Sequence, residues 1–466
     1  MLAAFHLPAL AHVPTTTWSY GRGRSGVQLR IPQLTPALLA EQIEALRTAQ
    51  REQLQERPVR EIVSVIDRVA RRLQNPDTPL RQLAEGALPA VTGYSAPMIR
   101  RVLDRMAADW RADRLWPLLE AEFGDPAVLD GFQPRPAVGG QTRAFGPELA
   151  THVFSGNVPG VAVTSIVRSL LVKAATLGKT SSGEPLLAAL FAQAIAEEDE
   201  ALGRCLAVTY WPGGADALED VALRAADAVV AYGGNDAIAS LRARTPAGVR
   251  FVGYGHKLSF GVVAREVLSA GRAAEAAQVA ALEAALFDQQ GCVSPHLFYV
   301  EGGGEVEPRE WARLLAEAMS GVERELPRGK VSPGEASAIR QLRGEAEFSQ
   351  LAGNGVELHH SAEGTLWTAV YDPDPSFAAS CLNRTVRVKP VADLVAVPEL
   401  VRRIGPLLQT VGVAADEARR AALAASLGRL GASRVAPLGQ MAWPPPSWHH
   451  DGDSPLRVLV RWCDLE

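Results

Sequence analysis

The sequence has few cysteines and none of the spacings that build a disulfide framework or a metal site. Four occur in 466 residues, at Cys205, Cys292, Cys381 and Cys463. No Cys-x-x-Cys pair and no Cys/His cluster is present, which excludes the common zinc motifs. So few cysteines in so long a chain are typical of a reducing compartment, so we expect a cytoplasmic protein without a metal.

Long apolar runs and a strong charge of either sign are also missing. No uncharged stretch is long enough to span a membrane, and the first dozen residues lack the basic start of a secretory signal. The net charge is −5, which argues against electrostatic binding of nucleic acid. The expected partners are therefore small molecules or proteins.

The dinucleotide fingerprint Gly-x-Gly-x-x-Gly is absent from every predicted strand–helix junction. The order of predicted helices and strands is nevertheless that of an α/β protein. Apolar residues at three- and four-residue spacing predict helices between residues 35 and 130. After residue 140, helices alternate with short apolar strands, which predicts a parallel sheet. The predicted strands cover residues 206–211, 228–232, 249–254, 367–371, 385–391 and 456–462, and the predicted helices cover residues 184–201, 216–226, 236–244 and 272–286.

Cys292 is the best candidate nucleophile. It lies in the sequence Gln-Gly-Cys-Val-Ser-Pro, where Gly291 and Pro295 predict an open turn before an apolar strand. The alternative is a small buried hydrophobic residue, the usual role of an unpaired cysteine. The neighbouring Asp288 would raise the pKa of the thiol if the two were close in space.

Lys179 is the best candidate for a phosphate or ribose contact, because it lies just before a predicted helix that has the capping-box spacing of Ser181 and Glu184. A solvated lysine is the alternative. Ligands of a parallel sheet bind at the carboxyl ends of its strands, where Pro212-Gly213 and Gly233-Gly234 fall.

Three stretches resemble the aldehyde dehydrogenase superfamily in the same order: residues 154–160, residues 177–185 and the Gln-Gly-Cys turn. The closer resemblance is to the bacterial acyl-CoA reductase family, which includes the fatty acid reductase of the luciferase operon (LuxC). It also takes in residues 92–95, 165–173, 287–300 and 439–462. The implied fold is aldehyde dehydrogenase-like α/β, with a parallel-sheet cofactor domain, an α/β catalytic domain, a helical N-terminal region and a small oligomerisation hairpin.

The resemblance implies roles for individual residues. Cys292 accepts the acyl group from a thioester, and the side-chain amide of Asn157 helps to stabilise the oxyanion. Gly253 stands where hydrolytic members carry a glutamate that activates water, so its presence favours reduction over hydrolysis. The cofactor-binding residues are Lys179 at the ribose, Ser181 and Ser182 in place of an NAD-selecting glutamate, Gly233 and Gly234 at the pyrophosphate, and Pro212 and Gly213 beside the adenine.

A second departure lies at residues 382–387, where the superfamily's Glu-x-Phe-Gly-Pro motif for the nicotinamide ribose is missing. Arg387 and Lys389 alternate onto one strand face there, and two interpretations are open: a solvated basic face, or contacts with CoA phosphates or a carrier protein. His296 and the pair His449-His450 are not assigned to the site.

The expected function is NADPH-dependent reduction of a long-chain fatty acyl-CoA or acyl-protein thioester to an aldehyde. Two alternatives remain: a CoA-acylating dehydrogenase for shorter aldehydes, and an acyl-carrying subunit of a reductase complex. The resemblance further implies a homo-oligomer and an acyl-protein synthetase or carrier as partner. The predicted domains are residues 1–134 (helical), 135–153 (oligomerisation hairpin), 154–280 (NADP-binding), 281–435 (catalytic) and 436–466 (C-terminal loop and oligomerisation strand).

Overall fold

The computed structural model describes residues 1–21 and 26–466. These residues form two compact units, which the chain enters more than once. The first unit consists of Met1–Thr92, Ile99–Gly255 and Pro445–Glu466. The second consists of Gly93–Met98 and His256–Pro444.

The structure contains helices and strands in an order typical of an α/β protein. The helices are α1 (Pro36–Ala49), α2 (Val59–Gln74), α3 (Pro79–Thr92), α4 (Ala96–Asp109), α5 (Ala112–Phe123), α6 (Val161–Leu171), α7 (Leu187–Glu198), α8 (Glu200–Arg204), α9 (Asp216–Ala225), α10 (Asn235–Arg244), α11 (Ala273–Ala285), α12 (Pro308–Glu325), α13 (Pro333–Leu351), α14 (Val397–Leu400) and α15 (Glu417–Leu430). The strands are β1 (Leu2–Ala3), β2 (Thr15–Tyr20), β3 (Val27–Pro32), β4 (Gln133–Pro134), β5 (Gln141–Phe145), β6 (Leu149–Val153), β7 (Ala175–Thr180), β8 (Leu206–Tyr210), β9 (Ala228–Tyr232), β10 (Arg250–Tyr254), β11 (Leu258–Val263), β12 (Pro295–Glu301), β13 (Glu357–His360), β14 (Thr368–Tyr371), β15 (Thr385–Val391), β16 (Leu408–Ala414), β17 (Arg434–Pro437) and β18 (Arg461–Leu465).

Helices α1 to α5 confirm the helical region predicted between residues 35 and 130. The start of α1 is fixed by the Thr35 side chain, which accepts a hydrogen bond from Leu38 N at 3.3 Å. Along α2, apolar residues at helical spacing, such as Ile62 and Ile66, are fully buried. The sequence did not predict β1, β2 and β3, which form a small sheet before these helices.

The main sheet of the first unit has five parallel strands in the order β10-β9-β6-β7-β8. The side chains of β6, β7, β8 and β9 are mostly buried on both faces, as expected of parallel strands covered by helices. The chain runs from β6 outward to β8 and then crosses to β9 on the other side of β6. The strand order therefore reverses between β6 and β9, and crevices at such switch points bind ligands in open α/β sheets.

Two predicted elements of the first unit differ from the structure. The helix predicted from residue 184 begins at Leu187, because Glu184 is drawn into the interior and accepts hydrogen bonds from Leu186 N and Leu187 N. The predicted strand 456–462 is instead a short 3₁₀ helix, Arg457–Leu459, followed by β18. Strand β18 pairs antiparallel with β5, which also pairs with β4.

The second unit is built on a seven-stranded sheet in the order β13-β14-β15-β12-β11-β16-β17. Only β13 runs antiparallel to its neighbour, β14. The central strand β12 is buried along its whole length, and β15 occupies the range predicted from the sequence. Among the helices of residues 1–21 and 26–466, none combines the length and the hydropathy that crossing a membrane requires.

Candidate functional site

The residues predicted to bind a cofactor, together with the predicted oxyanion donor Asn157, lie at the carboxyl edge of the five-stranded sheet in the first unit. Asn157 is in the loop after β6, and Lys179 lies near the end of β7, followed by Ser181 and Ser182. Gly213 follows β8, after Pro212, and Gly233-Gly234 follows β9. The fold therefore places at one edge residues that are 77 positions apart in the sequence, from 157 to 234.

Lys179 sits in a half-buried aromatic setting. Its ammonium nitrogen lies 6.0 Å from the centre of the Tyr210 ring, and Trp18 packs edge-on against that ring at 4.7 Å. Burial lowers the pKa of Lys179, and the charge of Glu219 opposes the shift. Within the described part of the chain the ammonium has no hydrogen bond or ion pair, so a ligand could take that role.

The edge has the features that a nucleotide would need. The Ser181 hydroxyl is shielded from solvent and has no hydrogen-bond partner among the described residues. A Cβ atom added at Gly213 or Gly234 would meet nothing within 4 Å, so a ligand can approach the backbone closely there. These observations fit a ribose and a pyrophosphate.

Glu184 is the carboxylate closest in sequence to Ser182, and it already makes hydrogen bonds within the protein. Its side chain is buried, and Oε1 accepts hydrogen bonds from Leu186 N at 2.8 Å and Leu187 N at 2.7 Å. Burial raises the pKa of Glu184, and the two hydrogen bonds oppose that shift. Ser182 is exposed, and its carbonyl accepts a hydrogen bond from the Tyr20 hydroxyl at 2.9 Å.

Cys292 lies in the second unit, in the turn between α11 and β12, and is partly exposed. Its carbonyl oxygen accepts a hydrogen bond from the Ser259 hydroxyl at 2.7 Å, and Thr410 N donates to the same hydroxyl at 3.1 Å. Asn157 belongs to the first unit and Cys292 to the second.

Shortly before Cys292, three consecutive residues have left-handed backbone angles, and none of them is glycine. The φ angles of Phe287, Asp288 and Gln289 are 54°, 48° and 66°. Such angles cost about 1–2 kcal/mol per residue and persist only where surrounding contacts impose them. The turn is therefore held in its shape by its neighbours.

Two residues from distant parts of the sequence, Thr385 and Tyr94, contact the turn. The Gln289 amide, fully buried, donates to Pro295 O at 2.8 Å and Thr385 O at 2.9 Å and accepts from Thr385 N at 2.8 Å. The Tyr94 hydroxyl donates to Phe287 O at 3.0 Å. Sequence reasoning missed these roles, although residues 92–95 were among the stretches that carried the family resemblance.

The other thiols offer poorer candidates. Cys205 is buried, and burial raises its pKa to about 12. Burial also raises the pKa of the partly exposed Cys381. Cys463 is exposed on the edge strand β18.

Several ionisable residues near the cysteine turn have structural roles. His296 is buried, and its Nδ1 accepts a hydrogen bond from Ser380 N at 3.1 Å. Burial, helped by His256, lowers the pKa of His296 to about 4, so the ring is neutral. Arg387 and Lys389 do share one face, where both pair with Asp372 at 3.3 and 2.7 Å, but Lys389 is completely buried. The interpretation as a solvated basic face is therefore wrong.

One member of the histidine pair in the C-terminal loop, His450, lies in an aromatic stack of the first unit. The His450 ring stacks on Tyr254 at 4.1 Å and on Trp448 at 4.6 Å. Across residues 1–21 and 26–466, no group of three or more His, Cys, Asp or Glu side chains could hold a metal ion.

Gly253, on β10, has no room for a side chain in its present surroundings. A Cβ atom there would lie 2.8 Å from both Ile238 Cγ2 and Phe251 Cε1. Apolar atoms therefore occupy the space where a side chain at this position would begin.

Comparison with solved structures shows the fold. The chain superposes on an oxidoreductase from Marinobacter aquaeolei with a TM-score of 0.78 at 14% identity, covering 98% of this chain and 99% of that one. It superposes on an aldehyde dehydrogenase from Physcomitrella patens with a TM-score of 0.76 at 13% identity, covering 98% and 95%. A third match is an NADP-dependent glyceraldehyde-3-phosphate dehydrogenase from Bacillus halodurans, with a TM-score of 0.72 at 14% identity and coverage of 97% and 96%. The aldehyde dehydrogenase-like α/β fold is thereby confirmed.

Sequence comparison shows the family. Long-chain acyl-protein thioester reductases from Aliivibrio fischeri and Photorhabdus luminescens are 28% and 27% identical to this chain over 417 residues, covering 87% of it and 82% of each relative. The family model for acyl-CoA reductase (LuxC) matches residues 54–462. The chain belongs to the acyl-CoA reductase (LuxC) family.

Proposed function

We propose that this chain reduces a long-chain acyl thioester, carried on CoA or on a protein, to the aldehyde through an acyl-cysteine at Cys292, with NADPH as reductant. The observation that carries the proposal is the family match over residues 54–462, which includes Cys292, Asn157 and Lys179. The alkyl chain length and the acyl-protein substrate are taken from the names of the relatives.

The chemistry assigned to the chain begins at sulfur. The Cys292 thiolate attacks the thioester carbonyl, the carbon–sulfur bond of the donor breaks, and CoA or the carrier leaves as a thiolate. The amide of Asn157 and the backbone N–H of Cys292 are the proposed oxyanion donors, each worth about 3 kcal/mol in related reactions. The residues of the proposed cofactor site would hold a nicotinamide cofactor, which would supply hydride for the acyl carbon. The thiohemiacetal alkoxide on Cys292 would then release the aldehyde and regenerate the Cys292 thiolate.

The edge of the five-stranded sheet is the proposed cofactor site, with Lys179, Ser181 and Ser182 at the ribose, Gly233-Gly234 at the pyrophosphate and Pro212-Gly213 beside the adenine. The preference for NADPH rests on the local charges. Glu184 is committed to the start of α7, so no carboxylate from that turn is available to repel a 2′-phosphate.

Ser182→Glu tests this preference, because residue 182 is exposed and a glutamate there fits without repacking. We expect the ratio of kcat/KM for NADPH to that for NADH to fall at least tenfold, because the new carboxylate repels the 2′-phosphate. Ser182→Gln is the matched control, with the same shape and no charge. An unchanged ratio in the glutamate variant would place the 2′-phosphate elsewhere.

Intact-mass spectrometry tests the acyl-cysteine. The protein is incubated with palmitoyl-CoA without cofactor, and separately with a palmitoyl thioester on a carrier protein, before NADPH is added. We expect a palmitoyl adduct on Cys292 that persists in buffer, because the glutamate that activates water is replaced by Gly253, and that disappears as aldehyde forms on addition of NADPH.

Two variants complete that experiment. Cys292→Ala should abolish labelling, whereas Cys463→Ala, which removes an exposed thiol on β18, should leave it intact. An adduct that NADPH cannot discharge would support an acyl-carrying subunit, and labelling only by short acyl donors would support a dehydrogenase of shorter aldehydes. Labelling of Cys292→Ala at the wild-type level would contradict the mechanism.

Cytoplasmic location, homo-oligomerisation, a synthetase or carrier partner, and the assignment of cofactor binding to residues 154–280 and of catalysis to residues 281–435 stay predictions.

A further inference from the structure

The segment that departs most from the superfamily pattern, residues 382–384, has a left-handed backbone like the cysteine turn. The φ angles of Leu382, Asn383 and Arg384 are 63°, 55° and 62°. This triplet and the triplet Phe287–Gln289 lie nearly a hundred residues apart in the sequence, and the structure joins them directly.

Arg384 is the main connection between the two triplets. Its guanidinium is 1% exposed, and Nε and Nη2 donate to Asp288 Oδ1 at 2.9 and 2.7 Å. Its third nitrogen donates to Glu323 Oε2 at 2.7 Å and Leu326 O at 2.8 Å. The other Asp288 oxygen accepts a hydrogen bond from Gly329 N at 2.9 Å, so both oxygens of this carboxylate are hydrogen-bonded.

The residues on either side of Arg384 also bind the cysteine turn. Thr385, next to Arg384, exchanges two hydrogen bonds with the Gln289 amide, at 2.8 and 2.9 Å. Gln290 Nε2 donates to Asn383 Oδ1 at 3.2 Å. Three consecutive residues of the cysteine turn, 288–290, are therefore held by three consecutive residues of the other segment, 383–385.

We propose that Arg384 is a positioning residue, which holds the turn before Cys292 in its left-handed form and so fixes where the sulfur lies. The importance of that position rests on the proposed function of Cys292. Residues 383–385 hydrogen-bond to the cysteine turn, and Arg384 is too deeply buried to contact a cofactor.

A positioning role affects reactions that need a defined geometry more than reactions that do not. Acyl transfer requires the sulfur to meet a carbonyl held beside oxyanion donors, whereas alkylation by iodoacetamide requires only an accessible thiolate. In Arg384→Lys, one ammonium replaces a fork that makes four hydrogen bonds. We expect the ratio of the acylation rate to the alkylation rate at Cys292 to fall at least tenfold, and amide hydrogen exchange in residues 287–292 to become at least tenfold faster.

Arg419→Lys is the matched control. Arg419 makes a comparable network, with Glu301 at 2.8 and 2.7 Å and Glu266 at 2.6 Å, but at the other end of β12 from Cys292. Tyr94→Phe is a milder second variant, because it removes only the hydroxyl that donates to Phe287 O. It should shift both measurements in the same direction by about threefold and should fold even if Arg384→Lys does not.

The outcomes separate the two proposals. Selective loosening of residues 287–292 together with a lower acylation-to-alkylation ratio supports the positioning role. The same loosening in a protein whose wild type never acquires an acyl group also supports it, while contradicting the proposed function. Wild-type exchange and a wild-type ratio in Arg384→Lys or in Tyr94→Phe, or an equal fall in Arg419→Lys, would overturn it.

Discussion

Single residues limit what their positions in the fold can hold. Gly253 is the clearest case. The structure places Ile238 and Phe251 where a side chain would begin, so this position has neither a carboxylate nor the space for one.

Gly253→Ala should therefore destabilise the fold. The added methyl would contact two packed side chains, and such overpacking costs about 1–3 kcal/mol. Gly248→Ala is the control, because a Cβ atom there meets nothing within 4 Å. Urea unfolding would measure both, and equal stability of the two variants would show that Ile238 and Phe251 move aside at no cost.

At the scale of helices, ends are often fixed by residues of other elements. Helix α5 has no side-chain cap of its own, because its N-cap residue is Arg111. The carboxylate of Asp67, on α2, accepts hydrogen bonds from Ala112 N at 2.9 Å and from the Arg111 guanidinium at 2.6 Å. Asp67 thus caps one helix from the middle of another and ties the two together.

This contact predicts a pH-dependent stability. Burial alone would raise the pKa of Asp67, but the Ala112 N–H, Arg71 and Arg111 lower it to about 2 from 3.8. A carboxyl group with a lowered pKa stabilises the folded state above its unfolded value, and that contribution fades as the pH falls from 3.8 through 2. Asp67→Asn should cost about 2 kcal/mol at pH 7 and almost nothing at pH 2, measured by urea unfolding. Asp77→Asn, which changes an exposed carboxylate, is the matched control.

Secondary structure was predictable where the sequence itself holds the signal. Strand β9 occupies its predicted range because it is a short apolar run before a Gly-Gly turn, and β15 occupies its range because apolar residues alternate there with Arg387 and Lys389. The start of α7 was wrong because the spacing of Ser181 and Glu184 cannot reveal that the glutamate turns inward and caps residues after it.

At the scale of the whole molecule, the sequence indicated candidate site residues but not the contacts that hold their turns in place. Cys292, Asn157 and Lys179 stand in recognisable motifs, whereas the contacts of Tyr94 and Arg384 with the cysteine turn join residues 193 and 96 positions apart. Left-handed angles at Phe287 or Leu382 leave no trace in the sequence, because no glycine marks them. Such features arise from tertiary contacts alone.

The edge strand β18 is the feature of the whole molecule that bears on assembly. It pairs with β5 on one side only, and its five residues are all exposed, including Trp462 and Leu465 at 41% and 52%. An exposed edge strand that carries apolar side chains is a template for pairing with another chain, and most soluble oligomers are built from identical subunits. We therefore predict a homo-oligomer that pairs through this edge.

Replacing both Trp462 and Leu465 by lysine should reduce the mass in solution to that of a single chain, as measured by light scattering, because charges on an edge strand oppose pairing. Phe348→Lys is the control, since Phe348 is 75% exposed but lies on helix α13 and not on an edge strand. The control should keep the wild-type mass. A wild-type protein that is already monomeric, or a double variant with unchanged mass, would show that β18 does not join the subunits.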